Sequence, residues 1–365
     1  MTKTYFAPGR VNLIGEHLDY NGGLVLPAAL TIGVTAKFTK RADNKIVLRS
    51  SSHSLHKEID LGDPIEFDLK NEWTNYPLGV IHQLIKEGHS VQPCDIVFDS
   101  NLPEGSGLSS SAAVEVLTGY MLLSQTEQNI NLPWLANLCK QVENEFIGVQ
   151  CGIMDQFAVA MGKADQAILL NCSTLEHTYV HFELNNYRLL ILDTKKPRSL
   201  IHSKYNERKA ECEEALRILQ VTSPIQHLAG ASMSQLDLIN DETVKKRARH
   251  VITESLRVKE AVKALRFNDL STFGRLMNAS HASLKNDYEV TGKELDVLAE
   301  ESQKLKGCLG ARMTGAGFGG CAIALVHEDS IAEFKHVLAF KYQAATSLNC
   351  EIYESQIGDG VMKIS

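Results

Sequence analysis

The chain has 365 residues, 44% of them hydrophobic and 22% charged, with a formal net charge of −7. That is more chain than one usual domain needs and enough apolar material for a sizeable core, so two domains are expected. The acidic balance, spread along the chain, argues against nucleic acid as the main partner, and no run approaches the ~20 apolar residues of a membrane span.

None of the eight cysteines forms a C-x-x-C pair or sits near a spaced histidine pair, so zinc is not expected and buried, reduced thiols are. Residues 1–5 lack a long apolar segment; no signal peptide is expected, and the setting reads as cytoplasmic. The densest basic stretch, Lys195-Lys196-Pro197-Arg198 with Lys204, Arg208 and Lys209, is interrupted by Glu207 and reads as a solvated face.

Residues 4–14 read as a strand broken at Pro8-Gly9. Arg10, Glu16, His17 and Asp19 then fall within ten residues, beside glycines and between apolar runs. Charges that close to a core must be paired or useful, and this cluster is a candidate site. Residues 31–40 and 45–50 are strand-like. Leu78, Ile81 and Ile85 set a helix over 75–87, and 93–98 form a short strand.

Leu102 to Thr118 follows, with two glycines and four serines leading into a helical rhythm carried by Ala113, Val116, Leu117, Tyr120 and Met121. Glycine lets backbone N–H groups turn inward, serine caps helix starts, and a helix N-terminus attracts anions. Together they suit a phosphate cradle, though an ordinary capped loop has the same letters.

Pro133, Leu135, Leu138, Val142 and Phe146 predict a second helix ending near Gly148. Asp155 is a lone acid among Gly152, Ile153, Met154 and Phe157. It is either a helix cap or a carboxylate held as a base, and position alone does not separate the two. Residues 166–172 and 187–194 read as strands, and 203–220, 245–265 and 291–306 as charged helices. Gly315, Gly317 and Gly320 match G-x-G-x-x-G, but the motif precedes a strand rather than opening a helix, so a dinucleotide fold is rejected. No G-x-x-x-x-G-K-[ST] occurs, so this is not a P-loop chain. The end reads as strand and tail. The domain boundary is expected near 160–185, giving units of 1–180 and 181–365.

Three separated motifs carry a resemblance. Pro103-Glu104-Gly105-Ser106-Gly107-Leu108-Ser109-Ser110-Ser111-Ala112 resembles the phosphate-binding motif of the GHMP kinases. Met313-Thr314-Gly315-Ala316-Gly317-Phe318-Gly319-Gly320-Cys321 is similar to their third motif. The stretch from Gly9 to Asn21 and the stretch Cys151-Gly152-Ile153-Met154-Asp155-Gln156 resemble the galactokinase branch. Leu18 departs from it, standing where many members have threonine.

The resemblance implies a two-domain α/β (α+β) fold, with a ribosomal-protein-S5-like N-terminal domain and a ferredoxin-like C-terminal domain. It implies ATP and Mg²⁺ as cofactors and galactose and MgATP as small-molecule partners; no nucleic-acid or membrane partner is expected, and the chain is expected to be a monomer. Asp155 and Arg10 would be catalytic. Glu16, His17, Leu18, Asp19, Gly152 and Tyr205 would bind sugar. Gly105, Ser106, Gly107, Leu108, Ser109, Ser110 and Ser111 would hold the ATP phosphates, with Ser111 and Glu143 on the metal and Trp73 a candidate for the base. A kinase for N-acetylgalactosamine or arabinose would use the same motifs. A galactose and ATP sensor without turnover is the other alternative, but family members of that kind look to have lost residues from the serine-rich loop, and here Gly107-Leu108-Ser109-Ser110-Ser111-Ala112 is complete with Arg10 and Asp155 present.

Overall fold

A computed structural model describes residues 2–103, 105–126, 129–197 and 201–365, the side chains of 201 and 202 excepted. Glu104 of the serine-rich loop and Arg198 of the basic stretch lie outside the described residues.

The first half runs β1 (Thr2–Asn12), β2 (Leu24–Val25), β3 (Pro27–Lys40), β4 (Lys45–Ser50), β5 (Lys57–Asp60), α1 (Asn75–Lys86), β6 (Cys94–Ser100), α2 (Ser110–Leu123), α3 (Leu132–Gln141), α4 (Met154–Met161), β7 (Gln166–Asn171) and β8 (His177–His181). The second half runs β9 (Tyr187–Asp193), α5 (Ile201–Gln220), α6 (Glu242–Arg266), α7 (Leu270–Ser283), α8 (Lys293–Lys304), β10 (Cys308–Met313), β11 (Cys321–His327), α9 (Ile331–Thr346), β12 (Glu351–Ser355) and β13 (Met362–Lys363).

A six-stranded mixed sheet orders as β13-β1-β3-β6-β4-β5. The break expected at Pro8-Gly9 is a bulge instead. Strand β1 runs through, and its register with β3 shifts between Pro8 and Arg10. A bulge is where a strand tolerates a residue with no N–H to give the ladder. A Cβ at Gly9 would stand 2.5 Å from Leu102, so glycine is what lets the serine-rich loop lie on this strand.

Helix α2 is the central helix, and its Ala112, Ala113, Val116, Leu117, Met121 and Leu122 are all buried. Asn131 caps α3 by accepting from Trp134 N, with Pro133 in the first turn as the sequence suggests.

The second sheet, β10-β11-β9-β12, is antiparallel throughout. In chain order that is 2-3-1-4, with α5 to α8 between the first two strands and α9 between the last two: the ferredoxin-like arrangement. The central strands β9 and β11 are covered on both faces.

Strands β5, β8 and β10 and helices α4 and α7 escape the sequence reading. So does α9, where only strand and tail were expected. Its buried face is the narrow stripe Phe334, Leu338 and Tyr342, while Phe340 beside it is exposed and blurs the period. The last residues also return to the first sheet, Tyr5 pairing with Lys363 and Phe6 with Met362. The basic stretch is not one solvated face either. Lys195 pairs with Asp193 and Glu351, Lys196 with Glu294, and the buried Arg208 donates to the Tyr288 carbonyl at 2.8 Å. All eight cysteines are free thiols.

Candidate active site

Segments far apart in sequence meet at one cleft of about 670 Å³. They are the end of β1 and the loop after it, the serine-rich loop entering α2, the start of α4, Tyr205 on α5, and Gly315-Ala316 between β10 and β11.

Arg10, 4% exposed, sits at the junction. Its Nε and Nη2 donate to the two carboxylate oxygens of Asp155 at 2.8 and 2.7 Å, and its Nη1 donates to the Gly107 carbonyl at 2.7 Å. The planar guanidinium matches both carboxylate oxygens at once, which a lysine does not do. Ser109 Oγ also donates to Asp155 Oδ2, at 2.5 Å. Ser109 therefore makes no side-chain helix cap. Ser109 takes the left-handed conformation (φ 62°, ψ 49°), caps nothing, and turns its hydroxyl to the acid. Asp155 lies in the first turn of α4, its side chain one-third exposed to the cleft.

Gly105, Gly107, Ser109, Ser110 and Ser111 line the cleft. Ser106 and Leu108 are buried beneath it, so Leu108 can offer only its backbone. The loop ends at the start of α2, where first-turn N–H groups lack helical partners. Gly315 adopts φ 84°, and a Cβ there would stand 3.3 Å from the Gly107 carbonyl. The glycine-rich turn is thus a close backbone passage against the serine-rich loop.

Helix α3 continues into a π-helical turn, Val142–Ile147, ended by Gly148 at φ 89°. Such turns frequently mark functional sites. This one places Glu143 near Ser111, and burial pushes its carboxyl up to about 7. A carboxylate kept short of water beside a hydroxyl fits a hard divalent cation, so these residues suit Mg²⁺.

Of the expected sugar residues, Glu16, His17, Asp19, Gly152 and Tyr205 line the cleft and Leu18 does not. Leu18 is fully buried in the core against Gly23, so it can offer the cleft only its backbone. Glu16 is 1% exposed, and its carboxylate accepts from Asn12 Nδ2 at 2.8 Å and Gly315 N at 2.8 Å. Arg312 Nη2 approaches it at 2.6 Å as an ion pair. Its geometry ties the first loop to the third motif.

Asp19 and Gly152 are in contact, since a Cβ on Gly152 would stand 1.9 Å from Asp19 Oδ2. Burial, with the Asp155 charge adding, pushes the Asp19 carboxyl up to about 7. A raised acid in the folded state is a cost that grows as pH climbs from the ordinary carboxylate range to 7 and is absent below that range. Asp19→Asn is therefore expected to raise the melting temperature at pH 8 and leave it unchanged at pH 3; an equal shift at both would refute the assignment.

Trp73 forms part of the wall with His53, ring centroids 6.1 Å apart, and Phe98, at 5.7 Å. Its Nε1 donates to the Leu55 carbonyl at 3.2 Å.

Three residues were missed. Arg312 is fully buried in β10 between Glu16 and Glu254, and Glu254 accepts from Gly15 N at 2.9 Å and Ser280 Oγ at 2.6 Å. A lone arginine in an apolar strand just before the third motif was the available signal. Glu115 is fully buried on α2, with neither oxygen in a directed hydrogen bond. Burial and the Glu143 charge push its carboxyl well above the carboxylate range. A single acid within Ala112–Leu117 was its signal.

An arginine-held carboxylate beside an anion cradle can take a hydroxyl proton next to a phosphoryl group, so fold and site define a small-molecule phosphotransferase. Family comparison agrees: residues 75–163 match the GHMP kinases N terminal domain, 259–344 the GHMP kinases C terminal, and 2–40 the galactokinase galactose-binding signature. The galactokinase of Staphylococcus carnosus is 48% identical over 98% of this chain and 94% of its own, and that of Clostridium acetobutylicum 46% over 99% and 94%. The crystal structure of Lactococcus lactis galactokinase complexed with galactose matches with a TM-score of 0.96 and 46% identity, covering 100% of this chain and 95% of that one. The Methanococcus jannaschii mevalonate kinase, 19% identical with a TM-score of 0.72 over 98% of each chain, shares the fold. The chain belongs to the galactokinases, a branch of the GHMP kinase family.

Proposed function

We propose that this chain transfers the γ-phosphoryl of ATP to the C1 hydroxyl of α-D-galactose, giving galactose 1-phosphate and ADP. The observation that carries this reading is the contact of Asp155 with Arg10 and Ser109, between the sugar-signature loop and the phosphate cradle. Asp155 accepts the proton of the C1 hydroxyl as its oxygen bonds to the γ-phosphorus and the bond to the β-phosphate oxygen breaks. Arg10 holds the carboxylate in place and counters charge on the transferring group. Gly105 to Ser111 seat the ATP phosphates with backbone N–H groups and hydroxyls. Ser111 and Glu143 would hold Mg²⁺, which when bound neutralises phosphate charge. Asp19, His17, Glu16, Gly152 and Tyr205 bound the sugar, and Trp73 lies on the base side.

On this reading residues 1–180 carry sugar and nucleotide, residues 181–365 form the second domain, and the active species is a monomer in the cytoplasm. No helix among the described residues is long and apolar enough to cross a membrane.

A coupled assay of ADP release over galactose, N-acetylgalactosamine and arabinose tests the reading. Galactose is expected to turn over fastest, and EDTA to abolish turnover. A preference for either rival sugar would reassign the substrate, and binding of galactose and ATP without ADP release would make the chain a sensor.

A further inference from the structure

His17 is 4% exposed in the cleft wall, and its two ring nitrogens are not equivalent. Nδ1 lies 2.8 Å from the Tyr20 hydroxyl. That hydroxyl lies 2.8 Å from the Tyr288 hydroxyl, which lies 3.0 Å from Cys212 Sγ. Nε2 is buried and makes no hydrogen bond with the protein. The Ala316 carbonyl is near enough to favour a proton on the ring, yet forms no directed bond with Nε2. The ring is fixed in place by Tyr288, with centroids 4.7 Å apart, and Tyr205, at 5.7 Å. Burial, helped by His250, lowers the His17 pKa to about 3, so the imidazole is neutral and carries one proton.

Where that proton sits depends on the direction of the hydroxyl chain. A phenol hydroxyl donates better than it accepts, and the unprotonated imidazole nitrogen is the strongest neutral acceptor in the chain. Burial pushes the Cys212 thiol up to about 11, so it keeps its proton and is free to donate. An arrangement that gives each donor one acceptor runs from Cys212 Sγ–H to Tyr288, from the Tyr288 hydroxyl to Tyr20, and from the Tyr20 hydroxyl to His17 Nδ1.

We propose that Tyr20, Tyr288 and Cys212 are positioning residues that fix His17 as its Nε2–H tautomer, so that it presents a hydrogen-bond donor to one oxygen of the sugar. This rests on the galactose reading above. A sugar that lacks the facing oxygen leaves a buried N–H unpaired, and that cost is what discriminates against it. The selecting group is thereby set partly from α5 and from the π-helical turn Leu284–Tyr288 that follows α7, not from the sugar loop alone.

The test uses the full-length enzyme with Tyr20→Phe, Tyr288→Phe and Cys212→Ser variants, each checked by thermal melting. Nitrogen NMR of isotope-labelled histidine is expected to show His17 protonated at Nε2 in the wild type, and a mixture of tautomers in Tyr20→Phe. In kinetics, Tyr20→Phe is expected to raise the galactose KM about tenfold with kcat within about twofold, the loss of one buried hydrogen bond. Tyr288→Phe is expected to do the same more weakly, and Cys212→Ser, which keeps a donor, to match the wild type. Against the four monodeoxygalactoses with C1 intact, the Tyr20→Phe penalty is expected to vanish for one sugar only. A wild-type Nδ1–H tautomer, or a penalty equal for every sugar, would overturn the proposal. The NMR measurement needs no turnover, so failure of the galactose reading would appear separately, as absence of wild-type ADP release.

Discussion

Asp155→Asn is expected to lower kcat by at least ~10²-fold while the protein stays folded, the scale of losing a positioned proton acceptor. The asparagine is the same size, and the position is one-third exposed at the cleft, so no core packing is lost. What changes is chemical. Both carboxylate oxygens now accept, from Arg10 Nε, Arg10 Nη2 and Ser109 Oγ. The amide would turn an NH₂ toward one of those donors and could not take a proton from a sugar hydroxyl. On the proposed function the acid acts at the reacting hydroxyl rather than across the sugar, so the galactose KM is expected to change far less than kcat. Phosphoryl transfer through a loose transition state needs little base strength, so much of the loss would come from misorientation of the hydroxyl. Ser109→Ala leaves the arginine pair intact and is expected to cost less. Steady-state kinetics with thermal melting decide it: a near wild-type kcat in Asp155→Asn would remove this residue from the mechanism.

Arg312→Ala is expected to destabilise the protein by ~3–5 kcal/mol, the scale seen when one partner of a buried charge network is removed. Arg312 is fully buried, stands 2.6 Å from Glu16 and 3.9 Å from Glu254, and donates to the Asn12 carbonyl at 3.0 Å. Without it, two buried acids face each other beside the sugar loop. For Glu254, burial alone would raise the carboxyl, but Arg257, His250 and Arg312 together hold it at about 2. A depressed acid contributes stability that is complete above the ordinary carboxylate range and is lost as pH falls toward 2. The destabilisation in Arg312→Ala should therefore be largest near neutral pH and shrink toward pH 2. Denaturant midpoints at pH 7 and pH 3 measure it, and an unchanged midpoint at pH 7 would mean the network does not hold this region together. Because Glu16 and Gly315 belong to the same network, the variant is also expected to weaken galactose binding without any direct contact with the sugar.

The sequence by itself determined where strands and helices would follow periodic apolar residues, as in Leu78, Ile81 and Ile85 or Ala113 to Met121. It also determined which stretches were too polar or too glycine-rich to be packing alone. The cluster of Arg10, Glu16, His17 and Asp19, the serine-rich loop, Asp155 and the Gly315–Gly320 turn were all legible, because charge and glycine near a core have few structural uses. Local pattern could not give Asp155 its partners. Arg10 is 145 residues away and Ser109 is 46, and the choice between cap and acid is made by what arrives from elsewhere in the chain. The same holds for Leu18, drawn into the core while its neighbours face the cleft, and for Ser109, whose hydroxyl turns from the start of α2 to Asp155. Arg312, Glu254 and Glu115 carry only faint sequence signals, since one charged letter in an apolar run does not name its counter-charge. The buried hydrogen-bond chain that links Cys212, Tyr288, Tyr20 and His17 likewise forms only when three segments close on one another. Short-range pattern fixes propensity, whereas burial, pairing and the tautomer of a buried ring depend on contacts between residues far apart in sequence, which exist only in the folded chain.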